Sequence, residues 1–101
     1  MLCLVATSVL SACVGLSEAA EHYNAGMELQ KQRRLPRKAI AEYDQAILLS
    51  PEHMEPYASR VLAYTCLGVE AEAQQDINRA VEFGFNCALL ERMVEQAKQA
   101  R

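Results

Sequence analysis

Apolar side chains recur at every third or fourth position along most of the chain. Pro36, Ala39, Ile40, Tyr43, Ala46 and Ile47 form one such stripe, and Ala73, Ile77, Ala80 and Val81 form another. This is the spacing that lines one face of an α-helix, and no segment shows the alternation of a half-buried strand. Helix breakers fall between the stripes, at Leu35-Pro36, Ser50-Pro51, Gly68 and Gly84. The pattern predicts helices over 18–32, 36–49, 54–67, 70–83 and 87–100, with Gly84 ending the fourth and Asn86 capping the fifth. In the fifth, Leu89, Leu90, Met93, Val94 and Ala97 share a face, with Glu91, Arg92, Glu95, Gln96 and Lys98 on the other side.

The chain also repeats itself. A shift of 34 residues lays Ala39 over Ala73, Tyr43 over Ile77, Ala46 over Ala80 and Ile47 over Val81, and upstream a shift of 35 lays Tyr23 over Ala58 and Gly26 over Val61. One extra residue therefore lies between Gly26 and Ala39. Tyr23-Asn24-Ala25-Gly26, Ala39-Ile40, Tyr43, Ala46 and Pro51 in one unit, and Tyr57, Tyr64, Gly68, Ala73, Ile77 and Ala80 in the next, resemble the tetratricopeptide repeat, a 34-residue pair of antiparallel helices. The resemblance covers 19–85 and implies an all-α fold: two such hairpins forming a short right-handed α-solenoid, with a C-terminal capping helix. Repeat 1 would occupy about 19–53, repeat 2 about 54–85 and the cap about 87–100. Alanines let the helices approach closely while Tyr43, Tyr64 and Ile77 fill the space between them. Val61 stands where the family prefers a small residue and is expected to widen the contacts of its helix; Arg33-Arg34 lies where the second unit has Gly68, and Phe85 replaces the closing proline. Two units and a cap are few for a repeat protein, so a partner, a homodimer or the N-terminal segment is expected to complete the core.

Composition fits that picture: 101 residues, 51% hydrophobic and 23% charged, make one domain. A net charge of −3 gives no field that would recruit nucleic acid. The distribution of charge is more telling. Residues 1–17 carry none, and this stretch is short of the roughly 20 residues that span a bilayer as a helix. It reads as a signal or anchor segment preceding the repeat domain at 18–101. Leu10-Ser11-Ala12-Cys13 resembles the lipobox of bacterial lipoproteins, which implies lipidation of Cys13, a membrane tether and an extracytoplasmic place at the bacterial cell envelope. The segment opens without Lys or Arg, so the alternative is an uncleaved apolar helix on a structural subunit of a larger complex, or a cytoplasmic protein.

The repeat resemblance implies a concave groove lined by the first helices of the hairpins, at Tyr23, Met27, Gln30 and Lys31 and at Ala58, Leu62, Thr65 and Cys66. This mildly apolar surface suits a peptide or helix of a partner protein, with Gln30 and Thr65 supplying hydrogen bonds. Family members that clamp the carboxylate of chaperone tails carry lysine and asparagine at positions that read Tyr23, Met27 and Ser59 here, so that ligand is not expected. Half of the ten basic residues lie in eight positions, Lys31, Arg33, Arg34, Arg37 and Lys38, where they would complement the C-terminal end of the first helix or touch an anionic partner. Cys66 and Cys87 should lie on the order of 20 Å apart, too far for a disulfide. His22 and His53 stand alone, the four cysteines have no zinc spacing, and no catalytic constellation or phosphate loop occurs. The expectation is a non-enzymatic interaction module without metal or cofactor.

Overall fold

The computed structural model describes the backbone of residues 2–32 and 35–101 and, within these, the side chains from Ser17 onward. Cys13, Arg33 and Arg34 thus lie outside the described side chains. Five helices follow one another: α1 (Leu2–Lys31), α2 (Pro36–Leu49), α3 (Met54–Leu67), α4 (Glu70–Glu82) and α5 (Cys87–Ala100). Among the described residues there is no strand. α1 departs from the expected start at 18, running unbroken across the boundary drawn at residues 17/18. The junction Ser17-Glu18-Ala19-Ala20-Glu21 contains neither Gly nor Pro, so nothing local stops the helix there. Among the described residues no helix is long and apolar enough to cross a membrane.

Local chemistry sets the other boundaries. Pro36 occupies the first turn of α2, where its fixed φ favours helix and its missing N–H is no loss. Gly68 ends α3 in the left-handed conformation at φ 76°, and Gly84 does the same beyond α4 at φ 109°, with the Phe85 N–H donating to the Ala80 carbonyl at 2.9 Å. The Asn86 side chain accepts from the Leu89 N–H at 3.0 Å and caps α5.

The helices pack as hairpins, α1 with α2 and α3 with α4, while α2 joins the two and α5 lies against α3. Ala39, Tyr43 and Ala46 are fully buried in the first hairpin. Tyr43 rests on Gly26, where a Cβ would come within 2.5 Å of the tyrosine Cε1, so this contact requires glycine. In the second hairpin the core comprises Tyr57, Ala58, Val61, Ala73, Ala80 and Leu90, with Ile77, Phe83, Phe85 and Val94 against it. Val61 is fully buried there, its extra methyls filling space next to the alanines of the partner helix.

An ion cluster joins α2, α3 and α4, with Asp76 buried, Arg60 largely buried and Asp44 half-exposed. Arg60 donates from Nε and Nη2 to both oxygens of Asp76 at 2.6 and 2.7 Å, and from Nη1 to Asp44 at 2.7 Å. Its guanidinium also lies 5.8 Å from the ring centroids of Tyr57 and Tyr64. Burial works against the charge on Arg60, but the hydrogen bonds and charge of Asp76, joined by Asp44, hold it protonated well above the ordinary range. Nothing in the sequence pattern singled this arginine out.

Breaking the cluster from one side should leave the Asp76 carboxylate, 5% exposed, without its partner. Arg60→Met is expected to lower unfolding free energy by about 3–5 kcal/mol. The double substitution Arg60→Met/Asp76→Leu should recover most of that loss, and urea denaturation of the two variants checks both statements.

Candidate partner-binding groove

α1, α3 and α5 run in the same direction, because each is followed or preceded by a helix that reverses the chain. The register of α1 against α3 is marked where the Ser59 hydroxyl of α3 meets the Met27 sulfur of α1 at 3.5 Å. α3 forms the floor of a trough with α1 and α5 as its walls; among the described residues the two walls do not touch each other. The trough has two lobes, of about 300 Å³ and 430 Å³, that share Gln30, Leu62 and Met93.

Seven of the eight expected groove residues line these lobes. Tyr23, Met27, Gln30 and Lys31 of α1 and Ala58 and Leu62 of α3 border the first. Leu62, Cys66 and Gln30 border the second. Thr65 does not. It is 3% exposed, and its hydroxyl donates back to the Val61 carbonyl at 2.8 Å. One turn separates Thr65 from Val61, so both lie on the face of α3 that turns into the core, and the hydroxyl is satisfied within the helix. Its backbone carbonyl instead accepts from Arg101 Nη1 at 2.8 Å, tying the end of α5 to α3.

Several lining residues were invisible to the sequence reading. Phe85 and Met93 close the first lobe, and Pro36, Gln96, Ala97, Ala100 and Arg101 border the second. Most belong to α5, whose apolar stripe reads simply as a buried face; that Met93 and Ala97 look into a trough depends on how α5 is set against α3.

The polar groups of the trough are few. Gln30 is held from behind, its side-chain oxygen accepting from the Tyr43 hydroxyl at 2.5 Å, which leaves its amide N–H groups as donors. Burial pushes the Tyr43 hydroxyl up to about 12, so it stays a donor at neutral pH. Lys31 at the rim pairs with Glu28 at 3.3 Å, both well exposed. Cys66 and Cys87 are exposed free thiols. His22 bonds Glu42 at 2.6 Å and His53 bonds Ser50 at 2.7 Å, and among the described residues no three potential metal ligands cluster. A further cavity of about 500 Å³ between α2, α3 and α4 is lined in part by the Arg60–Asp76 pair, which is already mutually hydrogen-bonded.

Fold and trough together define a short repeat of helical hairpins with an apolar concave face. Over 64 residues, 63% of its length, the chain is 34% identical to a Triticum aestivum protein named Hsp70-Hsp90 organizing protein. The chain spans 11% of that relative's length. No family model and no solved structure matches the chain. The similarity agrees with the tetratricopeptide-repeat resemblance and suggests a role in protein–protein interaction.

The raised Tyr43 pKa has a measurable consequence. Its hydroxyl is neutral in the folded state up to about pH 12 but ionises near 10 when unfolded, so the stabilisation is complete below pH 10 and is lost as pH rises through 12. Unfolding free energy should fall across that window by about 2–3 kcal/mol, and Tyr43→Phe should remove most of the decline in chemical denaturation run from pH 9 to about 12.

Proposed function

We propose that the chain is a non-enzymatic adaptor of tetratricopeptide type that holds a segment of a partner protein in the trough. The observation that carries this reading is the apolar space framed by Met27, Leu62 and Met93, left open between two walls while the hairpins behind it are closely packed. The name of the wheat relative, an organizer of two other proteins, supports a protein as the partner. Tyr23, Met27 and Ser59 stand where chaperone-tail receptors of the family carry their carboxylate clamp. The segment is therefore an apolar one, held by contact with Tyr23, Met27 and Leu62, with Lys31 and Cys66 at the rim.

The setting we propose is the bacterial cell envelope, on the extracytoplasmic side, with Cys13 lipidated at the motif Leu10-Ser11-Ala12-Cys13 and the partner an envelope protein. More than one acyl chain is needed for stable anchoring, as a lipoprotein-type modification would supply. A second reading draws on the continuity of α1 from Leu2 to Lys31. In it the apolar segment stays uncleaved and the chain is a subunit of a larger complex or a homodimer, cytoplasmic or membrane-associated.

Two experiments decide. Pull-downs from membranes with the wild-type chain and with Tyr23→Ala and Leu62→Ala should recover a common partner that both variants lose by at least about tenfold, as expected for truncating anchors in an apolar site; equal recovery would reject the trough as the binding site. Mass spectrometry of the mature protein should find acylated Cys13 at the N-terminus, whereas an intact Met1 with an unmodified thiol would favour the second reading.

A further inference from the structure

The second lobe of the trough, about 430 Å³, is chemically unlike the first. Pro36, Leu62, Met93, Ala97 and Ala100 give it hydrocarbon walls, and among the described residues no carboxylate borders it, whereas Glu55 stands on the border of the first. The one full charge on that border, among the described residues, is Arg101. Its guanidinium donates from Nη1 to the Thr65 carbonyl at 2.8 Å, which fixes the group and leaves it further N–H donors.

A second donor borders the same lobe. The Gln30 side-chain oxygen is taken by the Tyr43 hydroxyl, so its amide presents only N–H groups. From the Met27–Ser59 contact the helical rise carries Gln30 about 4.5 Å, and Thr65 about 9 Å, in the same direction, so the amide and the guanidinium share one end of the trough. Leu62 and Met93 continue from there into the first lobe.

An apolar side chain filling this space would cover both donors without giving either an acceptor, and each buried N–H left unpaired weakens a complex. An acidic side chain would satisfy the donors but carries too little hydrocarbon to fill the lobe. A small molecule with one carboxylate and an aliphatic tail does both. The arginine fork matches the two carboxylate oxygens, and the volume lies within the range of about 300–1,000 Å³ of small-molecule sites.

We infer that the second lobe binds a medium-chain aliphatic carboxylate, its head on Arg101 and Gln30 Nε2 and its tail between Leu62 and Met93. This goes beyond the adaptor reading and does not depend on it, since the ligand is a small amphiphile and its head lies away from Tyr23 and Met27. Because Leu62 and Met93 border both lobes, a bound acid and a partner segment would compete for them.

Decanoate, titrated below its micelle concentration into the isotope-labelled full chain, tests the site by NMR, and the Gln30 side-chain amide should shift saturably. Decyltrimethylammonium, with the same tail and the opposite charge, should bind at least about tenfold more weakly. Octanoate should bind about fivefold more weakly than decanoate, as expected for two methylenes lost from a partly covered tail. Arg101→Gln should weaken decanoate about tenfold and Gln30→Met about fivefold, the ranges for one charged and one neutral hydrogen bond; the comparison of ligands on the wild-type chain decides even where a variant fails to fold. Equal binding of anion and cation, or of decanoate and octanoate, would overturn the inference. Tighter binding of a short peptide with a free C-terminus, acetyl-Ala-Leu-Leu, would overturn it in favour of a polypeptide terminus. Absence of any shift with decanoate would also overturn it, while the pull-downs with Tyr23→Ala and Leu62→Ala judge the adaptor reading separately.

Discussion

The contact between Tyr43 and Gly26 governs both faces of the first hairpin. A full aromatic ring fits between α1 and α2 because position 26 has no side chain, with Ala39 and Ala46 admitting the same close approach along α2. The ring buries its carbon atoms in the hairpin and delivers its hydroxyl to Gln30, one turn along α1 from Gly26. One residue thus does two things: it closes the hairpin and orients the Gln30 amide at the trough.

The second constraint is electrostatic. Three helices converge on Arg60, and its two carboxylate partners come from different hairpins, Asp44 from the first and Asp76 from the second. A largely buried ion cluster of this kind contributes less to net stability than its short distances suggest, because desolvation offsets much of the attraction. Its geometry is nonetheless demanding. The bidentate contact with Asp76 fixes the angle of α3 against α4, and the single bond to Asp44 fixes how the hairpins stack, so the floor of the trough is held relative to the α1 wall.

How much of this was legible in the sequence follows from which interactions are local. Four of the five helices could be placed to within a residue, since Pro36, Gly68, Gly84 and Asn86 act through the backbone within a turn of where they stand. The start of α1 was misplaced because a change from apolar to charged composition was read as a structural boundary, and composition does not break a helix. Seven residues named on α1 and α3 line the trough because residues three or four apart share a helix face. Thr65 was assigned to the wrong face, since its position was taken from the repeat resemblance and not from its one-turn spacing to Val61. The α5 wall and the Arg60 cluster lay beyond reach because both depend on distances between elements far apart in the chain. Arg60 and Asp76 are sixteen residues apart and on different helices.

The attachment of α5 has a further consequence. Leu90, fully buried near its beginning, and Arg101, bonded to the Thr65 carbonyl at its end, support this helix like a beam resting on two piers. A beam so supported is held at both ends against α3, so on the groove reading proposed above a guest chain would meet a far bank already standing. On that reading little freedom of the receptor would be surrendered on association, and the entropic penalty would fall chiefly on the guest.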